Sequence, residues 1–213
     1  PDLTYLTFLE KVAGTSLPVI LSTGMGNEEE ISQALEILQP ECPIILLHCV
    51  SNYPSQYDEM NLHCMETLWS RFNVPIGLSD HTLDNLSAVV AASLGAVFIE
   101  KHFTVDRKLP GVDQLISIEP QELKKLKTEL INVNRILGDD KKQIQPSEIP
   151  VKQSARRSLV TRIDITAGTP LTAEMISCKR PGTGIPPAEL NSVLGKSCKN
   201  DICAEQVLTW DMF

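Results

Sequence analysis

His81 and His102 close two short apolar runs, Ile76-Gly-Leu-Ser-Asp-His81 and Val97-Phe-Ile-Glu-Lys-His102. Side chains alternate across a strand, so Ser79 shares a face with His81, and Glu100 shares the equivalent face with His102. Neighbouring strands lie about 4.8 Å apart, which lets two imidazoles at equivalent strand ends reach one divalent metal ion. Two neutral nitrogen ligands leave most of the coordination sphere to water or substrate, an arrangement that suits a Lewis acid polarising a carbonyl. The same pattern also fits two hydrogen-bonded core histidines, and residue types alone leave both open. Glu100 could be a ligand, a hydrogen-bond partner of the imidazole or an acid/base group. It could equally be held in a buried ion pair with Lys101 or another base.

Two further runs end in polar residues. Ser22 and Thr23 precede Gly24 and Asn27, where a strand leads into a helix N-terminus. Hydroxyls and backbone N–H groups there make either an anion cradle or a plain capping turn. Cys49-Val-Ser-Asn-Tyr-Pro54 brings Ser51 and Tyr53 to a second strand end, although a Tyr before Pro also serves as a packed loop anchor. Asp106-Arg107 and Gly111-Val-Asp113 could fold over the mouth. His48 reads as part of a core strand and His63 as a helix-surface residue.

These side chains need a frame. The four runs Val19–Gly24, Ile44–Cys49, Ile76–His81 and Val97–His102 start 25, 32 and 21 residues apart, the length of a βα unit. Asn27 with Glu30 predicts a capped helix carrying Ile31, Ala34, Leu35 and Leu38 on one face. A second helix aligns Leu62, Met65, Leu68, Trp69 and Phe72. A third runs from near Asp84 through Leu86, Val89, Val90 and Leu94. The fourth begins at Pro120, carries Leu123, Leu126, Leu130, Val133 and Leu137, and stops at Gly138. Strands alternating with helices predict an α/β fold with a parallel sheet. Four units are half of a (β/α)8 barrel, which needs about 250 residues to close. The expected organisation is therefore a partial TIM barrel over residues 1–137 and a polar linker over 138–153. A small β-rich domain follows over 154–213, with strand-like runs at Ser158–Thr161, Met175–Lys179 and Gln206–Trp210. Extended, a linker of that length spans up to roughly 50 Å.

The chain has 213 residues, and 27 acidic against 19 basic side chains give a net charge of −8. Nucleic-acid and anionic-membrane partners need a basic surface, so neither is expected. The longest apolar stretch, Ala88–Ile99, is broken by Ser93 and Gly95 and is far short of a membrane span. Six cysteines without a C-x-x-C pair predict reduced, mostly buried thiols and a cytoplasmic location. The start Pro-Asp-Leu-Thr has neither Met nor a leader pattern, and an upstream part is expected.

Five ordered strings carry a more specific signal: Leu21-Ser-Thr-Gly-Met25, His48-Cys-Val-Ser-Asn-Tyr-Pro54, Gly77-Leu-Ser-Asp-His-Thr82, Ile99-Glu-Lys-His-Phe-Thr104 and Lys179-Arg-Pro-Gly-Thr-Gly184. Together they resemble the bacterial N-acetylneuraminate (sialic acid) synthases and their legionaminic and pseudaminic acid relatives, from about Leu6 to the end. The resemblance implies barrel strands five to eight followed by an antifreeze-like (SAF) domain. It implies condensation of phosphoenolpyruvate with an open-chain N-acetylmannosamine-type sugar, phosphate leaving by C–O cleavage, with a divalent metal, Mn²⁺ or Mg²⁺. His81 and His102 match the metal ligands and Glu100 an acidic residue beside them; these three carry the catalytic roles. Ser22, Ser51 and Ser79 match positions around phosphoenolpyruvate, Ser51 standing where some members have Asn. Tyr53 and Asp113 match groups near the sugar. Arg180 matches an arginine that the antifreeze-like domain of a second subunit inserts into the mouth, so a domain-swapped homodimer is implied. Gln114 stands where many relatives carry His. The family's phosphate-binding lysines and an acidic catalytic residue belong to strands outside this chain. The alternative expectation is a non-catalytic truncated protein acting as a binding or assembly module.

Overall fold

The structure, a computed structural model, describes residues 2–213. The chain divides into two compact units, Pro1–Asp139 and Asp140–Phe213. In the first, helices α1 (Leu6–Ala13), α2 (Glu28–Leu38), α3 (Cys64–Phe72), α4 (Leu86–Ser93) and α5 (Pro120–Leu137) surround strands β1 (Val19–Ser22), β2 (Ile44–Cys49), β3 (Ile76–Asp80) and β4 (Ile99–Lys101). The strands form one parallel sheet in the order β1-β2-β3-β4. Registers such as Leu21↔Leu46, Cys49↔Ser79 and Ser79↔Glu100 bring the four C-terminal ends together. This is the expected α/β half-barrel arrangement.

Alternation within the strands sets the two faces. Leu21, Ile44, Leu46, Ile76 and Leu78 point to the helices and join Ile31, Ala34, Leu35, Leu38, Met65 and Leu68 in one core. The opposite face carries Leu47 and then the polar strand ends. At Gly77 that face is tight: a Cβ there would lie 2.5 Å from the Phe98 carbonyl oxygen and 2.6 Å from Leu47, so glycine alone admits this closeness of β3 to its neighbours.

The capping box expected for α2 is present. Asn27 Oδ1 accepts from the Glu29 and Glu30 N–H groups at 3.0 Å, and Glu30 accepts from the Asn27 N–H at 2.9 Å. Gly138 ends α5 with φ 61°.

Two helix faces differ from expectation. Helix α4 buries Ser87, Ala88 and Ala91 and exposes Leu86, Val90 and Leu94. It packs on small side chains, with Ala88 meeting Ile118 and Leu126, because small residues let α4 approach β3 and α5 closely. In α3, Trp69 is 60% exposed rather than packed. Helix α1 has no counterpart among the elements expected from the sequence.

In the second unit, β5 (Ser158–Thr161) pairs antiparallel with β6 (Ile176–Lys179). Leu159, Ile165, Leu171, Ile176, Ile185, Val193, Ile202 and Leu208 fill its core, alongside the short helix α7 (Leu190–Val193). The run Gln206–Trp210 is not a strand: Val207 makes one isolated bridge to Val160, and Trp210–Met212 is a 3-10 turn. The segment expected as linker is partly helical. A 3-10 turn at Pro146–Glu148 leads into α6 (Ile149–Ala155), because each proline falls in a first turn, where it is compatible with a helix. Only 138–145 then lack helix, so the freely extended reach shrinks to about 27 Å.

Candidate active site

The C-terminal strand ends of the first unit enclose a cavity of about 400 Å³ lined by Ser22, Gly24, Met25, Cys49, Ser51, Tyr53, Ser79, His81, Glu100 and His102. Seven of the nine residues expected from the sequence thus line one space. Asp113 stands beside it, with Oδ2 3.6 Å from His102 Nδ1. Arg180 belongs to the second unit, where its Nε donates to the Ala155 carbonyl at 3.0 Å. Three larger cavities, about 570, 690 and 550 Å³, lie against α3. The first is walled by Leu62, Trp69, Val74, Leu94 and Val97 and gathers no comparable set of reactive groups.

The register places His81 and His102 on one face, as alternation requires. Their ring centroids are 5.1 Å apart and edge-on, and the Tyr53 ring covers both, 4.3 Å from His81 and 5.6 Å from His102. His81 Nδ1 lies 2.9 Å from the Val50 carbonyl oxygen. A carbonyl only accepts, so Nδ1 carries the proton and Nε2 keeps its lone pair. That is how a main-chain acceptor prepares an imidazole to ligate. Burial works against a charge on His81, but contact with the Cys49 thiol and the Val50 carbonyl outweighs it and raises its pKa above the ordinary histidine value.

Glu100 is not paired with Lys101. Its Oε1 accepts the Ser79 hydroxyl at 2.7 Å, whereas Lys101 points to the other face and pairs with Asp80 at 2.8 Å. The carboxylate therefore remains at the cavity wall next to His102.

For a divalent ion, the donor set is the two imidazoles with Glu100 alongside. Among the described residues no cluster of three or more His, Cys, Asp or Glu side chains is placed to hold a metal. The residues fit an ion held through two nitrogens, with the remaining positions open to oxygen ligands.

Gly24 shapes the opposite wall. A Cβ there would stand 2.1 Å from Ser51 Oγ and 2.9 Å from Cys49 Sγ, so the space at the head of α2 exists because residue 24 has no side chain. Cys49 was expected among the reduced, mostly buried thiols; it is buried, and it also faces this space. Its Sγ is 3.7 Å from Ser51 Oγ and 3.8 Å from His81 Nδ1. Burial pushes the thiol up, yet contacts with His81, Ser22, Ser51 and Ser79 together bring it down to about 7. The signal in the sequence was its phase: Cys49 and Ser51 are two residues apart at a strand end.

The profile of the NeuB family matches residues 1–142. The chain belongs to the NeuB family. The SAF domain profile matches residues 156–213. An uncharacterised protein of Methanocaldococcus jannaschii is 45% identical over 99% of this chain and 63% of its own length. The N,N'-diacetyllegionaminic acid synthase of Legionella pneumophila is 37% identical over 99% of this chain and 61% of its own. Among solved structures, the N-acetylneuraminic acid (sialic acid) synthetase of Leptospira borgpetersenii, in complex with citrate, superposes with a TM-score of 0.65 at 44% identity. That match covers 70% of this NeuB-family chain and 53% of the synthetase. The chain thus spans somewhat over three fifths of these curated relatives.

Proposed function

We propose that this NeuB-family chain is the part of a nonulosonate synthase that carries barrel strands five to eight and the SAF domain. The reaction condenses phosphoenolpyruvate with an N-acetylmannosamine-type sugar. Carbon 3 of phosphoenolpyruvate adds to the aldehyde carbon, water adds at C2, and phosphate departs with the bridging oxygen. The observation that carries the proposal is the convergence of His81, His102, Glu100 and Ser79 on one strand-end cavity.

His81 and His102 would hold a divalent ion, Mn²⁺ or Mg²⁺, through the nitrogens their neighbours leave free. When bound, such an ion supplies Lewis acidity at the aldehyde oxygen. Ser22, Ser51 and Ser79 offer hydroxyls beside the N-terminus of α2, a setting that favours phosphate and carboxylate groups. Ser79 donates its one proton to Glu100 and so orients that carboxylate; it would turn the donor to phosphoenolpyruvate only by giving up this bond. Tyr53 covers both imidazoles and limits water at the mouth, which strengthens every polar contact inside. Asp113, next to His102, is placed for a sugar hydroxyl. Arg180 would come from a second copy of the chain in a homodimer, offering a planar donor fork to an amide carbonyl. No helix among the described residues is long and apolar enough to cross a membrane, and a cytoplasmic setting suits both substrates.

The test is incubation of the complete synthase of which this chain is the proposed part, upstream barrel strands included, with phosphoenolpyruvate, Mn²⁺ and N-acetylmannosamine or a diacetamido analogue, followed by mass spectrometry. The expected product has the summed mass of sugar and pyruvate, and His81→Ala lacks it. Absence of any such product with every sugar tried would favour the binding-module alternative.

A further inference from the structure

We infer that Lys101, paired with Asp80, is the positioning residue that fixes His81 and His102 for the reaction proposed above. Each partner immediately precedes one imidazole in sequence, and the register sets Asp80 directly opposite Lys101. Both point to the face away from the cavity, where their side chains are 0% and 4% exposed. An ammonium has three donors. Lys101 Nζ uses them on Asp80 Oδ2 at 2.8 Å, the Thr82 carbonyl at 2.6 Å and the Asp84 carbonyl at 2.8 Å.

The remaining contacts tie in the loops that bear the site. Asp80 Oδ1 accepts from the Thr82 N–H at 2.9 Å and the Thr82 hydroxyl at 2.8 Å. The segment after His81 is therefore gripped from both strands. Asp84 Oδ2 in turn accepts the Tyr57 hydroxyl, on the loop that carries Ser51 and Tyr53. One buried ammonium thus links β3, β4 and both loops around the imidazoles. With its donors spent, it has none for an anionic substrate. An arginine fork is planar and does not reproduce three divergent bonds.

The inference rests on the synthase reading, so the test needs a readout that works without metal. Lys101→Met alone would strand a buried carboxylate and threaten folding. The informative variants are Lys101→Arg, which keeps the charge, and D80N/K101M, which removes both charges together. In metal-free protein at alkaline pH, where the imidazoles are neutral, two-bond ¹H–¹⁵N spectra report the tautomer. Wild type should show His81 as a single Nδ1–H form, held by Val50. Both variants should show mixed tautomers, while Leu38→Ala, which weakens the same core at a distance, should keep the single form. A single Nδ1–H tautomer in D80N/K101M, or a mixed one in wild type, overturns the inference. Parallel Co²⁺ titration addresses the underlying reading. Wild type should bind, and the variants should bind at least tenfold more weakly. A wild type that binds no Co²⁺ but shows the tautomer pattern refutes the metal reading and leaves Lys101 as the positioning residue.

Discussion

Cys49 carries a thiol poised near pH 7 in the wall of the cavity. The thiolate is the nucleophile, so its reaction with iodoacetamide should rise steeply between pH 6 and 8 and fall when His81 is replaced by Ala, as mapped by mass spectrometry. Cys198, whose thiol burial pushes up, should label far more slowly in the folded protein. His48, on the opposite face of β2, shows the reverse logic. Nε2 lies 2.7 Å from the Met60 carbonyl oxygen and Nδ1 3.2 Å from Cys64 Sγ. Burial lowers its pKa despite the Met60 contact. A histidine held neutral in the fold takes up protons in the unfolded chain first. Its stabilising contribution is therefore present above the ordinary value of about 6.5 and is lost as pH falls below it. Because the raised pKa of His81 acts in the opposite direction, the reading is the difference: His48→Gln should lose less stability than wild type between pH 7 and 5, as read from urea midpoints.

At the scale of elements, α2 positions the site from behind. Its cap is set by Asn27 and Glu30, and Asn27→Ala should cost about 1 kcal/mol, read as a lower melting temperature with the cavity chemistry intact. Leu38, fully buried against the sheet, should cost about 2–5 kcal/mol on truncation to Ala. These two features were legible in the sequence because capping and 3.6-residue periodicity are local rules. The four strand ends were legible for the same reason, since period-2 alternation fixed which of Ser79, Asp80 and His81 share a face. The burial of α4 was not, because Leu86, Val90 and Leu94 form the more apolar stripe while packing on α5 selects Ala88 and Ala91. Nor was the Lys101–Asp80 pair, because a register between strands twenty residues apart decides whether Lys101 meets Glu100 or Asp80. Helix α6 was hidden by Pro146 and Pro150, which read as loop unless each is recognised as a first-turn residue.

At the scale of the whole molecule, the proposed chemistry requires Arg180 and the imidazole pair to meet in one mouth, with each contributed by a different copy. Residues 1–139 carry a net charge of −10 and residues 140–213 one of +2, counted over the full sequence, which favours attraction between the two kinds of unit within a copy and between copies alike. Mixing inactive His81→Ala and Arg180→Ala variants of the full-length synthase should restore activity on subunit exchange, because a heterodimer then has one mouth free of both lesions. No recovery at any ratio would rule that arrangement out. The central claim is the condensation itself, and the most direct measurement follows oxygen. Phosphoenolpyruvate labelled with ¹⁸O at the bridging position should yield phosphate that retains the label. Release should depend on an N-acetylated amino sugar and vanish in His81→Ala. Unlabelled phosphate, or release at the same rate without sugar, would contradict the account.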